Sequence, residues 1–168
     1  SMKGSIAPDG TLLALVADVE RFGGLGDGAH ARQPYIYAVE KSSTTSVGVL
    51  THTDTSRAMR APGHPQASFA MESLVDELAY KAGLDPLAVR LKNLKNEAYQ
   101  RQLKRVAQEI GWDAHPNKTA PGKPEGRWCT GIGFGVSVWG GGGRASCEVD
   151  VRIERDGATF RVAAHEEL

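Results

Sequence analysis

PQASFAMESLVDELAYKAG, residues 65–83, changes the rhythm of the chain. Ahead of it apolar residues alternate. Within it Ala67, Ala70, Met71, Leu74, Val75 and Leu78 recur at spacings of three and four, which is one face of a helix. The pattern predicts a helix from Pro65 to about Lys81. Pro65 suits the first turn, where the amide proton it lacks has no helical partner, and Gly83 is a C-terminal stop. Asp85 and Pro86 then cap and start a second helix, with Leu87, Leu91 and Leu94 inward. A third is expected from about Glu97 to Ile110, with Leu103, Val106, Ala107 and Ile110 on its inner stripe and Gly111 ending it.

On both sides of the helices the period is two. Upstream, the Pro8-Asp9-Gly10 turn precedes Leu13, Leu15, Ala17 and Val19, alternating as in a half-buried strand. Residues 21–34 form a glycine-rich loop. YIYAVE (35–40) and SVGVLTHTD (46–54) are aromatic and β-branched and read as two more strands. Downstream, residues 113–126 hold three prolines and two glycines without periodicity, an exposed connector. GIGFGVSVW (131–139) predicts a strand covered on its glycine side. A hairpin follows, with Cys147, Val149, Val151 and Ile153 on one face, a turn at Arg155-Asp156-Gly157, and Phe160 and Val162 on the return. Strands, then helices, then strands make an α+β domain rather than an alternating α/β one. It divides into strands and glycine loop (1–54), arginine loop and helices (55–112), connector (113–126), and glycine-rich strand with hairpin (127–168).

The 168 residues carry 20 basic and 20 acidic side chains, a balance without the basic bias of a nucleic-acid or membrane-surface binder. No apolar run approaches the ~20 residues of a membrane helix. Cys129 and Cys147 are too few and too far apart for a zinc pattern; they read as free thiols of a reducing compartment, with a disulfide as the alternative. GGLGDG (23–28) lacks the following helix that a dinucleotide fingerprint needs. The run Gly140–Gly143 is either a plain loop or a place for close backbone approach to a ligand. His52, His64 and His165 have no partner at metal-ligand spacing, so no metal site is expected. Glu166 and Glu167 read as a solvated pair rather than an acid/base pair. Arg57 and Arg60, just before a helix N-terminus, either bind an anion or are solvated. No complete catalytic set emerges from the residues alone.

Two stretches together carry a resemblance. TSRAMRAPGHPQASFAMESLVDELAYKAGLDPLAVRLKNL (55–94), and GIGFGVSVWGGGG (131–143) with the hairpin through Gly157, resemble the molybdenum-binding subunit of the xanthine dehydrogenase and aldehyde oxidase family, especially its bacterial aldehyde and isoquinoline oxidoreductase branch. The likeness extends from about Asp9 to Leu168. It implies a molybdenum hydroxylase with a molybdopterin or molybdopterin cytosine dinucleotide cofactor. Such an enzyme oxidises an aldehyde or N-heterocycle, takes oxygen from water, and passes electrons to iron–sulfur and FAD domains or subunits. In that likeness Arg60 and Ala61 belong to the turn beside the molybdenum oxo group. Pro62 stands where purine-oxidising members place an aromatic ring, which argues against a purine. Val138, Trp139 and Gly140 fall at the substrate pocket, with Trp139 the available ring. His64 replaces a common glycine and is given no role. The family's glutamine-bearing glycine loop, its later glycine loop and its general-base glutamate have no match here. The expectation is therefore a piece cut from a longer subunit, holding no catalytic residue, binding no cofactor alone and needing the remainder of its own subunit. Ser1-Met2 and the end at Leu168 fit that expectation. The cytoplasm is expected, with the periplasm open. The alternative is a non-catalytic binding or assembly module of the same fold.

Overall fold

The computed structural model describes residues 1–24, 33–54, 57, 60–115, 126–128 and 131–138, and the backbone of 148–156 and 159–167. The elements are β1 (Met2–Ile6), β2 (Leu12–Gly23), β3 (Lys41–Leu50), α1 (His64–Ala82), α2 (Pro86–Asn93), α3 (Glu97–Glu109), a short 3-10 turn (Trp112–Ala114), β4 (Glu148–Asp156) and β5 (Thr159–Glu167). This is the expected α+β order.

β1, absent from the sequence reading, pairs antiparallel with β2 across the turn at Pro8–Gly10, and Gly10 takes the left-handed φ of 87° that the turn requires. The ladder slips at Ser5/Ile6, where Ser5 faces Ala14 but Ile6 faces Leu12. Leu13 is the extra residue of this bulge. That inverts the phase expected at the strand's start: Leu12 is buried and Leu13 exposed, while Leu15 and Ala17 point inward as anticipated.

β3 begins at Lys41, not Ser46, stops at Leu50, and runs parallel to β2 in one unbroken register. Residues 35–40 are not a strand. Ile36 sits at φ 67° and Tyr37 N–H donates to Tyr35 O at 2.8 Å, a three-residue turn. That turn, rather than a pleat, buries both Tyr35 and Tyr37.

α1 packs on β1, and its Ala67, Met71, Val75 and Ala79 join the buried core. Full burial of Met71 and Val75 is worth about 1.5–3 kcal/mol each as an upper estimate. The contact is close: a Cβ on Gly4 would lie 3.0 Å from Leu78 Cδ1. Gly83 ends α1 in the left-handed conformation, and Asp85 caps α2 through Leu87 N–H at 2.7 Å and Ala88 N–H at 3.3 Å. On α3 only half of the expected stripe faces inward. Leu103 and Ala107 are buried, but Val106 and Ile110 are exposed, because the packing against α2 and Trp112 covers a narrower band than the period suggests.

The segment 131–138 alternates as expected but with its sides exchanged. Phe134 and Val136 are buried, whereas Gly131, Gly133 and Gly135 face outward, where an added Cβ would meet nothing within 4 Å. It forms no β-ladder. Three side chains take the place of a partner strand at alternate carbonyls: Arg90 Nη2 donates to Phe134 O (3.0 Å), Ser68 Oγ to Val136 O (3.0 Å) and Tyr35 Oη to Val138 O (2.8 Å). The hairpin is present as antiparallel β4–β5, but Arg155 and Asp156, expected in its turn, remain in strand opposite Phe160 and Thr159; Gly157 lies outside the described residues. Trp139–Gly143, Cys129, Cys147 and connector residues 116–125 lie outside the described residues. Among the described residues no helix is long and apolar enough to cross a membrane.

Candidate functional site

The turn ahead of α1 is built from two left-handed residues. Ala61 has φ 58° and Gly63 φ 81°, and His64 N–H closes the turn on Ala61 O at 3.0 Å. Glycine adopts that conformation freely, but alanine is strained there by about 1–3 kcal/mol, and strain of this kind gathers at ligand-facing loops. Arg60 is exposed, Ala61 and Pro62 are half-buried, and Gly63 is buried. The turn is thus anchored underneath and open at Arg60, whose guanidinium makes no ion pair among the described residues.

Arg57 differs. It lies 3.5 Å from Asp54, with both side chains more than four-fifths exposed, so the pair stabilises little. The helix N-terminus offers less than the sequence suggested. Pro65 has no amide proton and the His64 amide is already bound to Ala61. Arg60, rather than Arg57 or the helix end, is the group available to an anion.

His64 has a partner after all. Its Nδ1 lies 2.9 Å from Tyr35 Oη, with the rings edge-on at 5.6 Å. The same hydroxyl accepts from Val138 N–H (3.1 Å), donates to Val138 O (2.8 Å) and stands 3.3 Å from Ser137 Oγ. The structure therefore joins the turn carrying Arg60, Ala61 and Pro62 to Val138, two stretches far apart in sequence. Trp139 and Gly140 lie outside the described residues.

Beneath the site is a buried charge cluster that sequence reasoning missed. Arg90 is fully buried and uses all five of its N–H donors: Nε to Glu72 Oε2 (2.8 Å), Nη1 to Asp76 Oδ1 (2.7 Å) and Pro86 O (3.2 Å), and Nη2 to Phe134 O (3.0 Å) and Glu72 O (3.4 Å). Tyr37 Oη donates to the other Glu72 oxygen at 2.7 Å. Burial first, then the Glu72 charge, holds the Tyr37 hydroxyl well above its usual range, so it stays a neutral donor. Two acidic residues four apart on α1 and an arginine at an inner position of α2 were the available signal.

An open cavity of about 640 Å³ lies against β1, β2 and the first turns of α1, lined by Met2, Asp18, Glu20, Gln33, Gln66 and Ala70 among others. Among the described residues, none of the expected site residues (Arg60, Ala61, Pro62, Val138) lines it. Among the described residues no group of His, Cys, Asp or Glu could hold a metal ion.

The model of one protein family, the molybdopterin cofactor-binding domain, matches residues 5–94, more than half of the chain. The chain belongs to the molybdopterin cofactor-binding domain family. The match runs from the end of β1 through α2 and includes the Arg60 turn. Among relatives, the xanthine dehydrogenase molybdenum-binding subunit of Escherichia coli O157:H7 is 36% identical over 63 residues, 38% of this chain and 8% of its own. A nicotinate dehydrogenase subunit of Pseudomonas putida is 38% identical over 78 residues, 45% of this chain and 6% of its own. The aldehyde oxidoreductase molybdenum-binding subunit PaoC of E. coli K12 is 31% identical over 117 residues, 57% of this chain and 16% of its own. The chain thus spans well under a fifth of these relatives' length. Quinoline 2-oxidoreductase from P. putida 86 shares the fold with a TM-score of 0.58 and 21% identity, over 67% of this chain and 18% of that one. The aldehyde oxidoreductase of Desulfovibrio gigas does so with 0.53 and 24%, over 66% and 15%.

The residues present fit one wall of a site for this family's cofactor. An exposed guanidinium, with no ion pair among the described residues, beside a strained turn suits anionic oxygens, and one wall is less than a cradle.

Proposed function

We infer that this chain forms part of the molybdopterin-binding subunit of a molybdenum hydroxylase acting on an aldehyde or N-heterocycle. The observation that carries this reading is the family match through the Arg60 turn, together with the Tyr35 hydroxyl that joins the turn to Val138. Arg60 and Ala61 would face the bound molybdenum centre, in the form of molybdopterin or its cytosine dinucleotide. Pro62 and Val138, with Trp139 and Gly140 that follow Val138 in sequence, would line the substrate channel. When bound, the cofactor supplies the redox chemistry, with water as oxygen source and iron–sulfur and FAD partners taking the electrons. This chain's own residues fix the turn, hold the pocket segment to it and present a positive charge. The large cofactor and the two cysteines read as free thiols favour a cytoplasmic enzyme, with the periplasm open.

In the complete subunit, Arg60→Ala should lower kcat/KM by at least tenfold, as for loss of a preorganised electrostatic donor. Unchanged kinetics would remove Arg60 from the site. The 168-residue chain alone should retain no molybdenum after desalting and show no aldehyde oxidation. Stoichiometric metal on it would contradict the single-wall reading.

A further inference from the structure

We propose that Tyr35 is a positioning residue whose hydroxyl sets the distance between the Arg60 turn and the pocket segment at Val138. The inference rests on the reading that these two stretches share the active site. In an antiparallel sheet a residue is held by exchanging both of its backbone hydrogen bonds with one neighbour. Val138 makes both with a single side-chain atom: its carbonyl accepts from Tyr35 Oη at 2.8 Å and its N–H donates to the same oxygen at 3.1 Å. One hydroxyl thus does locally what a neighbouring strand would do.

The hydroxyl has one proton and two lone pairs. With the proton given to Val138 O, one lone pair takes the Val138 amide and the other takes His64 Nδ1–H at 2.9 Å. His64 is the residue directly after Ala61-Pro62-Gly63, so the oxygen links the end of the turn to the pocket segment through two contacts below 3 Å. The ring is 6% exposed and packs edge-on to His64. Tyr35 is itself fixed by the Ile36 turn behind it, because Tyr37 N–H closes on Tyr35 O and Tyr37 is tied to Glu72. The other two holds on the segment, Ser68 at Val136 O and Arg90 at Phe134 O, come from α1 and α2. Among the described residues, only the Tyr35 hold reaches both the turn and Val138.

The test is Tyr35→Phe in the complete subunit, which keeps the ring and removes only the oxygen. Residue-resolved hydrogen exchange should show the Val138 amide exchanging about tenfold faster, as expected for its lost bond, with the α1 amides unchanged. KM should rise by roughly three- to tenfold, more than kcat falls, because the chemical group at Arg60 is intact while the pocket is less well placed. Val138 exchange equal to wild type, or faster exchange with KM unmoved, overturns the proposal. Arg60→Ala measured alongside separates the two ideas. If it lowers turnover while Tyr35→Phe moves nothing, positioning fails and the site reading stands. If neither has an effect, the site reading is what failed. Should Tyr35→Phe not fold, His64→Ala removes the turn's own contact with the hydroxyl. Faster Val138 exchange and raised KM in that variant support the link, and wild-type behaviour overturns it.

Discussion

Arg90 shows how one side chain can decide whether the site's foundation holds. It is fully buried with Glu72 beside it, and it also holds the Phe134 carbonyl. A buried ion pair is not in itself a large net gain, because desolvation offsets most of the attraction. Removing one partner is different, since it strands the other charge. Arg90→Ala should therefore cost about 3–5 kcal/mol in urea unfolding. Arg90→Met combined with Glu72→Gln should lose much less than the sum of the two single changes, because neither charge is then left alone. Additive losses would mean that the two residues do not act as a pair. Ala61 is the opposite case: its strain was invisible in the sequence, where a small residue before Pro-Gly looks ordinary. Left-handed geometry at a non-glycine residue is imposed by the closed turn and by the buried Gly63, and neither can be read from composition.

Elements with strong local rules were legible and those fixed by distant contacts were not. α1 and α2 were read within a few residues because Pro65, Gly83, Asp85 and Pro86 each act locally. The Asp85 cap also shows what the local rule omits. The same carboxylate accepts from buried Trp112 Nε1 at 3.2 Å, tying the start of α2 to the 3-10 turn after α3. Asp85→Ala should thus cost more than a cap alone: about 1 kcal/mol for the helix end and about 1–3 kcal/mol for the orphaned indole N–H. Asp85→Asn should lose less, since the amide oxygen can still accept. Chemical denaturation of both variants checks this, and equal losses would mean that charge, not hydrogen bonding, matters there. The strand errors have a different cause. YIYAVE has strand composition, but a turn at Ile36 overrides it; Leu13 was misplaced because a bulge is a property of the pair β1–β2 and not of either strand.

At the scale of the whole molecule, motif likeness carried the site further than geometry read from the residues. The Arg60 turn and Val138 were named from resemblance, but their meeting through Tyr35 needed the tertiary structure, because the residues that bring them together are spread over the first 138 positions. The glycine side of 131–138 then poses the remaining question. Alternating glycines normally mark close coverage, yet here Gly131, Gly133 and Gly135 look into open space. None of the three has a positive φ, so an alanine fits the backbone. In the 168-residue chain, Gly133→Ala should be neutral or stabilising by up to about 1 kcal/mol through the unfolded state. If the rest of the subunit covers that face, the same change in the full-length protein should destabilise it by about 1–3 kcal/mol through overpacking. Urea unfolding of the pair of variants in both contexts measures the difference. Equal tolerance in the two would show that this face stays open in the complete subunit, and that the glycines serve something other than close packing.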